Sequence, residues 1–207
     1  MTSPPVLVLD AMGVIYDHGD DVNELLVPYV RSLGCTMSQS QINACYIQCS
    51  LGRITSTQLW EELGVANRAN DVDYVSRHRL MPGVMDVLRL AKLREWTLAC
   101  LSNDVAEWSL LLRRRFALES FITEWVISGD VGSRKPEWPI YEQLMASVGV
   151  SGESIMFVDD REKNLRGPHE AGWQCIAYGH TPSEEFRDIP RVASMVELET
   201  ILKEFSL

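Results

Sequence analysis

Residues 6–17 read VLVLDAMGVIYD. Four consecutive Val and Leu residues, with no polar residue alternating among them, predict a strand buried on both faces, over residues 5–10. Buried strands of this kind belong to parallel sheets covered by helices on each side. The run ends in a lone carboxylate, Asp10, with Ala11-Met12-Gly13-Val14 behind it. What that carboxylate does depends on what else the chain brings to the same place.

Downstream the apolar spacing turns helical. Leu25, Leu26, Tyr29, Val30 and Leu33 form one stripe, Ile42, Cys45, Tyr46 and Cys49 a second, Leu59, Trp60 and Leu63 a third, and Val72, Val75 and Leu80 a weak fourth. Asp21, Ser38 and Thr55 are the expected N-caps, and Gly34, Gly52 and Gly64 stand where helices would end. These stripes predict a small helical cap over 18–79. Tyr46, Trp60 and Tyr74 lie on them, so they are expected to pack inward. Met81-Pro82-Gly83 then punctuates the chain, and helix and strand alternate: helix 83–94, strand 96–101, helix 105–117, strand 125–128, helix 137–148, strand 154–158, helix 162–171 and strand 174–178. The expected fold is therefore α/β, a Rossmann-like parallel sheet core over 1–17 and 80–207, with helices on both faces and the helical cap inserted after the first strand.

The totals restrict the function. The 207 residues carry a formal net charge of −10 and are 46% hydrophobic and 23% charged, as in an ordinary globular protein. Such acidity argues against nucleic acid as a partner, and the one basic run, Arg113-Arg114-Arg115, is expected on a solvated helix face. Five cysteines (35, 45, 49, 100 and 175) without a CxxC pair are expected to be free thiols of a reducing cytoplasm. The N-terminus has no signal-peptide pattern, and no apolar run approaches a membrane span of roughly 18 residues.

At the ends of the predicted strands stand Asp10, Ser102-Asn103-Asp104, Ser128-Gly129-Asp130 and Asp159-Asp160, with Lys135-Pro136 just before a helix. In a parallel sheet these ends share one rim, where ligands of such folds bind. Like charges packed so closely need a cation and a ligand to offset them. With VLVLDAMGV, LACLSND, SRKPEWPIY and IMFVDDREKN in that order, the chain resembles the haloacid dehalogenase-like hydrolase superfamily over nearly its whole length. MPGVMDVLRLAKLREW and GPHEAGW fit as well.

The resemblance implies specific roles. Asp10 would be the nucleophile, forming an aspartyl intermediate that water later hydrolyses. Ser102 and the amide of Asn103 would donate hydrogen bonds to the transferring group, and Lys135 would offset negative charge. Asp160, a carboxylate oxygen of Asp10 and the backbone carbonyl of Met12 would bind Mg2+, while Asp159 would hold Lys135 or join the metal site. The implied substrate is a small phosphorylated molecule, handled by a monomer or homodimer with no nucleic acid or membrane partner. The cap would close over the rim and set specificity. The acidic stretch Asp17-His18-Gly19-Asp20-Asp21 favours a monophosphate whose other end is neutral or cationic, with Arg53 a weaker candidate to meet an anion.

The departure is Met12. Phosphatases of this superfamily carry a second carboxylate there, which protonates the leaving group and then activates water, and a thioether can do neither. Such a group is worth about 10² to 10⁴ in rate, roughly 3 to 5.5 kcal/mol. Three kinds of relative do without it. Dehalogenases expel halide and open with DAYG, but lack the metal-binding aspartates that this chain keeps at 159 and 160. Carbon–phosphorus hydrolases need a cap lysine, and residues 18–79 contain none. A catalytically weak binding or regulatory protein would need no acid. A phosphatase would have to find its acid in the cap, from His78, Asp20 or Asp21, or in the substrate. His78 is expected on an exposed helix face and His169 at the surface.

Overall fold

Val6–Leu9 (β1) is wholly buried, and its side chains alternate between two cores. Leu7 and Leu9 point into one apolar cluster, Val6 and Val8 into the other. The computed structural model describes residues 4–179 and 186–204. Within them six parallel strands follow the order β3-β2-β1-β4-β5-β6. They are β1, Thr97–Ser102 (β2), Glu124–Ile127 (β3), Ile155–Asp159 (β4), Gln174–Tyr178 (β5) and Arg191–Val192 (β6). β1 sits between β2 and β4, pairing Leu9 with Cys100 on one side and with Val158 on the other. The chain therefore winds one way from β1 and the other way from β4, which opens a crevice at the C-terminal ends of these two neighbours.

Helices cover both faces. Ile140, Tyr141 and Leu144 of Trp138–Val148 (α8) and Leu165 of Glu162–Glu170 (α9) pack on Val6 and Val8. Val84–Leu93 (α5), Ala106–Arg115 (α6) and Met195–Glu204 (α10) share the cluster of Leu7 and Leu9. The short Ser128–Val131 (α7) follows β3 directly. β6 and α10 were not expected from the sequence.

Between β1 and α5 a π-helical turn, Val22–Leu26, runs into Val27–Ser32 (α1), followed by Gln39–Ser50 (α2), Ser56–Glu62 (α3) and Asp71–Val75 (α4). Ser38 and Thr55 each form a reciprocal capping box, with Gln41 and Gln58. Asp21, expected to cap, makes no side-chain cap; its carboxyl is buried instead. Gly52 ends α2 at φ +66°, and a Cβ there would lie 2.2 Å from the Gly129 carbonyl oxygen, so the approach of α2 to α7 requires glycine.

An aromatic seam fastens these helices to the sheet. Trp108 of α6 lies 5.4 Å from Trp60 and 4.3 Å from Tyr74, centroid to centroid. Both indole N–H groups, Trp60 and Trp108, donate to Asp71 Oδ1 at 2.8 Å, while Ser56 Oγ donates to Oδ2 at 2.7 Å. Tyr46, Trp60 and Tyr74 are thus core residues, as expected.

Three local expectations need correction. His78 lies past the end of α4 and is buried, its ring edge-on to Tyr74 and Tyr16, because Arg115 draws the backbone of Val75 and His78 onto α6 through two hydrogen bonds. The basic run therefore does more than face solvent: Arg113 also pairs with Glu119 and lies over Trp125. Val72 is exposed, since α4 is too short to carry a full apolar stripe. All five cysteines are free, four of them buried. Among the described residues no helix is long and apolar enough to cross a membrane.

Candidate active site

The crevice between the ends of β1 and β4 is where the predicted residues meet. The backbone N–H of Asp10 donates to the Val158 carbonyl at 2.9 Å, which sets Asp10 level with Asp159 and Asp160. One oxygen from each of the three carboxylates lies within 4.8 Å of the other two. Behind Asp10 the chain folds into a tight turn in which the N–H groups of Ile15 and Tyr16 both donate to the Ala11 carbonyl. That turn turns Gly13 toward Asp160: a Cβ at Gly13 would lie 2.5 Å from Asp160 Oδ2, and one at Gly19 would lie 2.7 Å from it. The Asp160 carboxylate therefore occupies a niche between two glycines, and its Oδ1 is buried with no hydrogen-bond partner among the described residues.

Lys135 is the cation of the cluster. Its Nζ reaches Asp159 Oδ2 at 2.6 Å, Asp10 Oδ1 at 2.8 Å and the Leu101 carbonyl at 2.7 Å. Its loop is held by Asn103, whose side chain both accepts from the Lys135 N–H (2.7 Å) and donates to its carbonyl (2.9 Å). The Asn103 side chain is thus spent on placing Lys135. Asp159 is likewise spent, since it also accepts from the Arg161 N–H and from Asn164 Nδ2.

Burial dominates the electrostatics. It raises Asp10 well above the usual carboxylate range, the Asp159 charge adds to that, and Lys135 opposes it. Burial, with Asp159, also lifts Asp160 to about 6. Burial alone would lower Lys135, but the facing charges of Asp10 and Asp159 outweigh it and its pKa is raised. Three acids and one cation leave the cluster short of positive charge. The donor set, all carboxylate oxygen with one orphaned buried atom, suits a hard divalent cation.

Beside the cluster lies a cavity of about 250 Å³ that Asp10, Met12, Ser102, Asn103 and Lys135 line from the sheet edge, and Asn43, Tyr46 and Ile47 from α2. Tyr46 Oη donates to the Asn103 carbonyl at 3.0 Å, so α2 is anchored to the rim. Sequence reasoning missed the two arginines of this wall. Arg134 donates to Ser50 Oγ and stands over the Tyr46 ring, and Arg161 donates to the Gly19 carbonyl at 2.8 Å. Their positions, next to Lys135 and Asp160, were the available signal. They also temper the acidic wall expected from residues 17–21. Arg53 instead reaches Gln48 at the surface, His169 pairs with Asp188, and His78 is not among the lining residues.

A sequence profile described as haloacid dehalogenase-like hydrolase matches residues 38–172, more than half of the chain. The chain belongs to this family. The matched stretch begins after Asp10. Among curated proteins, the chain is 24% identical over 134 residues to the phosphoglycolate phosphatase of Nitrosococcus oceani, covering 62% of this chain and 59% of that protein. It is 30% identical over 98 residues to the glyceraldehyde 3-phosphate phosphatase of Methanopyrus kandleri, covering 46% and 41%. The chain thus matches about half the length of these relatives. A haloacid dehalogenase family enzyme from Bacteroides thetaiotaomicron, crystallised with magnesium and inorganic phosphate, superposes with a TM-score of 0.71 at 20% identity, over 89% of this chain and 100% of that one. At that identity the likeness shows the fold.

Proposed function

We propose that this family member is a magnesium-dependent phosphatase of a small phosphorylated molecule, acting through an aspartyl intermediate at Asp10. The observation that carries the reading is the cluster of Asp10, Asp159 and Asp160 within 4.8 Å, joined to Lys135 at the crevice of the sheet. Phosphatase activity in the named relatives, and magnesium with phosphate in the superposed enzyme, support it.

Asp160, Asp10 and the backbone carbonyl of Met12 would hold the ion; Asp159, engaged by Lys135, would hold that lysine in place. When bound, the ion supplies positive charge that offsets the phosphoryl group and its nucleophile. Lys135 fixes Asp10 Oδ1 and opposes the rise in pKa that burial imposes on it, leaving Oδ2 to attack phosphorus. Ser102 and the N–H of Asn103, at the end of β2, would donate to the phosphoryl oxygens. The core would comprise 1–17 and 80–207, with 18–79 as a cap whose α2 excludes water from the cavity. A cavity of about 250 Å³ favours a compact substrate.

The test is hydrolysis of 4-nitrophenyl phosphate with and without Mg2+. Asp10→Asn abolishes turnover, and chelator removes it from the unaltered protein. Met12 in the cavity wall favours a second reading, expulsion of a leaving group that needs no proton, as in a dehalogenase. Halide release that persists in chelator and tolerates Asp160→Ala would establish that reading and end the first.

A further inference from the structure

We propose that Asp21 protonates the leaving group in place of the carboxyl that Met12 lacks, an inference that rests on the phosphatase reading. Asp21 lines the same cavity as Asp10, Met12, Ser102 and Lys135, yet only 4% of its surface is exposed. It arrives there because the turn after β1 carries the chain past Gly19 before the π-helical turn begins, and it makes no helix cap that would occupy its side chain. Tyr74 Oη donates to Oδ2 at 3.4 Å, a long bond that leaves the second oxygen able to carry a proton.

Its surroundings keep that proton within reach of neutral pH. Burial pushes Asp21 up to about 6, with Asp20 adding to the rise; Arg161, the Tyr74 hydroxyl and the Val22 N–H pull it down. Tyr46 and the buried Asp104 also lie close enough to feel its charge. An acid tuned near the working pH is the efficient kind.

The other candidates fail on position. Asp20 is tied to Asn23 through both its oxygens and is more open to solvent. His78 is not in the cavity wall, and burial lowers its pKa to about 4. Asp104 is buried behind the rim, bonded to the Val105 N–H, and does not line the cavity.

The steps balance. Asp10 attacks phosphorus, the bond from phosphorus to the leaving oxygen breaks, and that oxygen takes its electron pair and the Asp21 proton. Water then attacks the phosphorus of the intermediate and breaks its bond to Asp10, giving its own proton to the Asp21 carboxylate, which restores the starting state.

A general acid matters most when the leaving group is a poor one, so the test compares phenyl phosphate with 4-nitrophenyl phosphate in Mg2+. Asp21→Asn lowers kcat/KM on phenyl phosphate by about 10² and on 4-nitrophenyl phosphate by less than about tenfold. Retained turnover of the nitrophenyl ester shows that the variant is folded. Adding Met12→Asp to Asp21→Asn restores turnover of phenyl phosphate. Equal losses on both esters, or no loss on either, overturn the assignment while leaving the phosphatase reading intact. Absence of Asp10-dependent turnover in the unaltered protein overturns the phosphatase reading and this one with it.

Discussion

Replacing Gly19 by Ala should weaken the proposed metal site without weakening the fold. The added methyl would sit 2.7 Å from Asp160 Oδ2, against 3.4 Å or more for ordinary contact, so about 0.7 Å must be found. The nearest backbone atom, the Gly13 Cα at 3.6 Å, is already at contact distance and need not move. Gly19 has no positive φ, so alanine carries no backbone strain there. The atom that yields is the end of the Asp160 side chain, and the carboxylate is pushed out of its niche. Changes that misplace a ligand typically cost 10- to 100-fold in metal affinity, about 1.4 to 2.7 kcal/mol. The assay is a Mg2+ titration of phosphatase activity beside a thermal melt in chelator. The half-saturating Mg2+ concentration should rise by about 10- to 100-fold, with the melt in chelator nearly unchanged. An unaltered Mg2+ requirement would refute the assignment of Asp160 as a ligand.

Lys135→Met should abolish turnover and destabilise the protein at pH 7 by about 3 to 5 kcal/mol, because Asp10 and Asp159 then face each other buried and without their cation. Asp10 would hold its proton still more tightly in the folded state, so the deficit should shrink as pH falls toward 5, read by urea unfolding at both values. His78 acts in the opposite sense. Its folded pKa of about 4 lies below the unfolded 6.5, so the unfolded chain binds a proton that the folded one refuses, and this residue's contribution to stability is lost as pH falls from 6.5 to 4. The loss amounts to about 3 kcal/mol. His78→Leu should flatten the difference between unfolding free energies measured at pH 7 and pH 4.5, and an unchanged difference would refute the burial argument.

β1, β2, β4 and β5 were legible because each is an apolar run ended by a polar residue, a pattern that buried parallel strands impose. The meeting of Asp10 with Asp159 and Asp160 followed from the same pattern, since strand ends in one sheet share an edge whatever their separation in the chain. β6 escaped notice because two residues, Arg191 and Val192, make no run. His78 was misread because its neighbours Ser76, Arg77 and Arg79 are polar; its burial is decided by Arg115, which lies distant in sequence. Arg134 and Arg161 were passed over because a long side chain has no periodic signature that tells where its end arrives. Asp21 looked like a helix cap because Asp before an apolar helix usually is one; here the helix starts as a π-helical turn that leaves its side chain uncommitted to capping.

The seam at Asp71 bears on how molecules are admitted. Asp71 Oδ1 receives one tryptophan N–H from within the inserted helices and another from Trp108 on the sheet side, so lifting those helices away would strand the Trp108 indole and break up its ring contacts with Trp60 and Tyr74. Wholesale opening is thereby penalised. In the proposed phosphatase, traffic to and from the cavity would then be left to small adjustments of short loops, and discrimination among reactants would work by girth: a slender molecule would pass and a bulky one would be turned away before any chemistry.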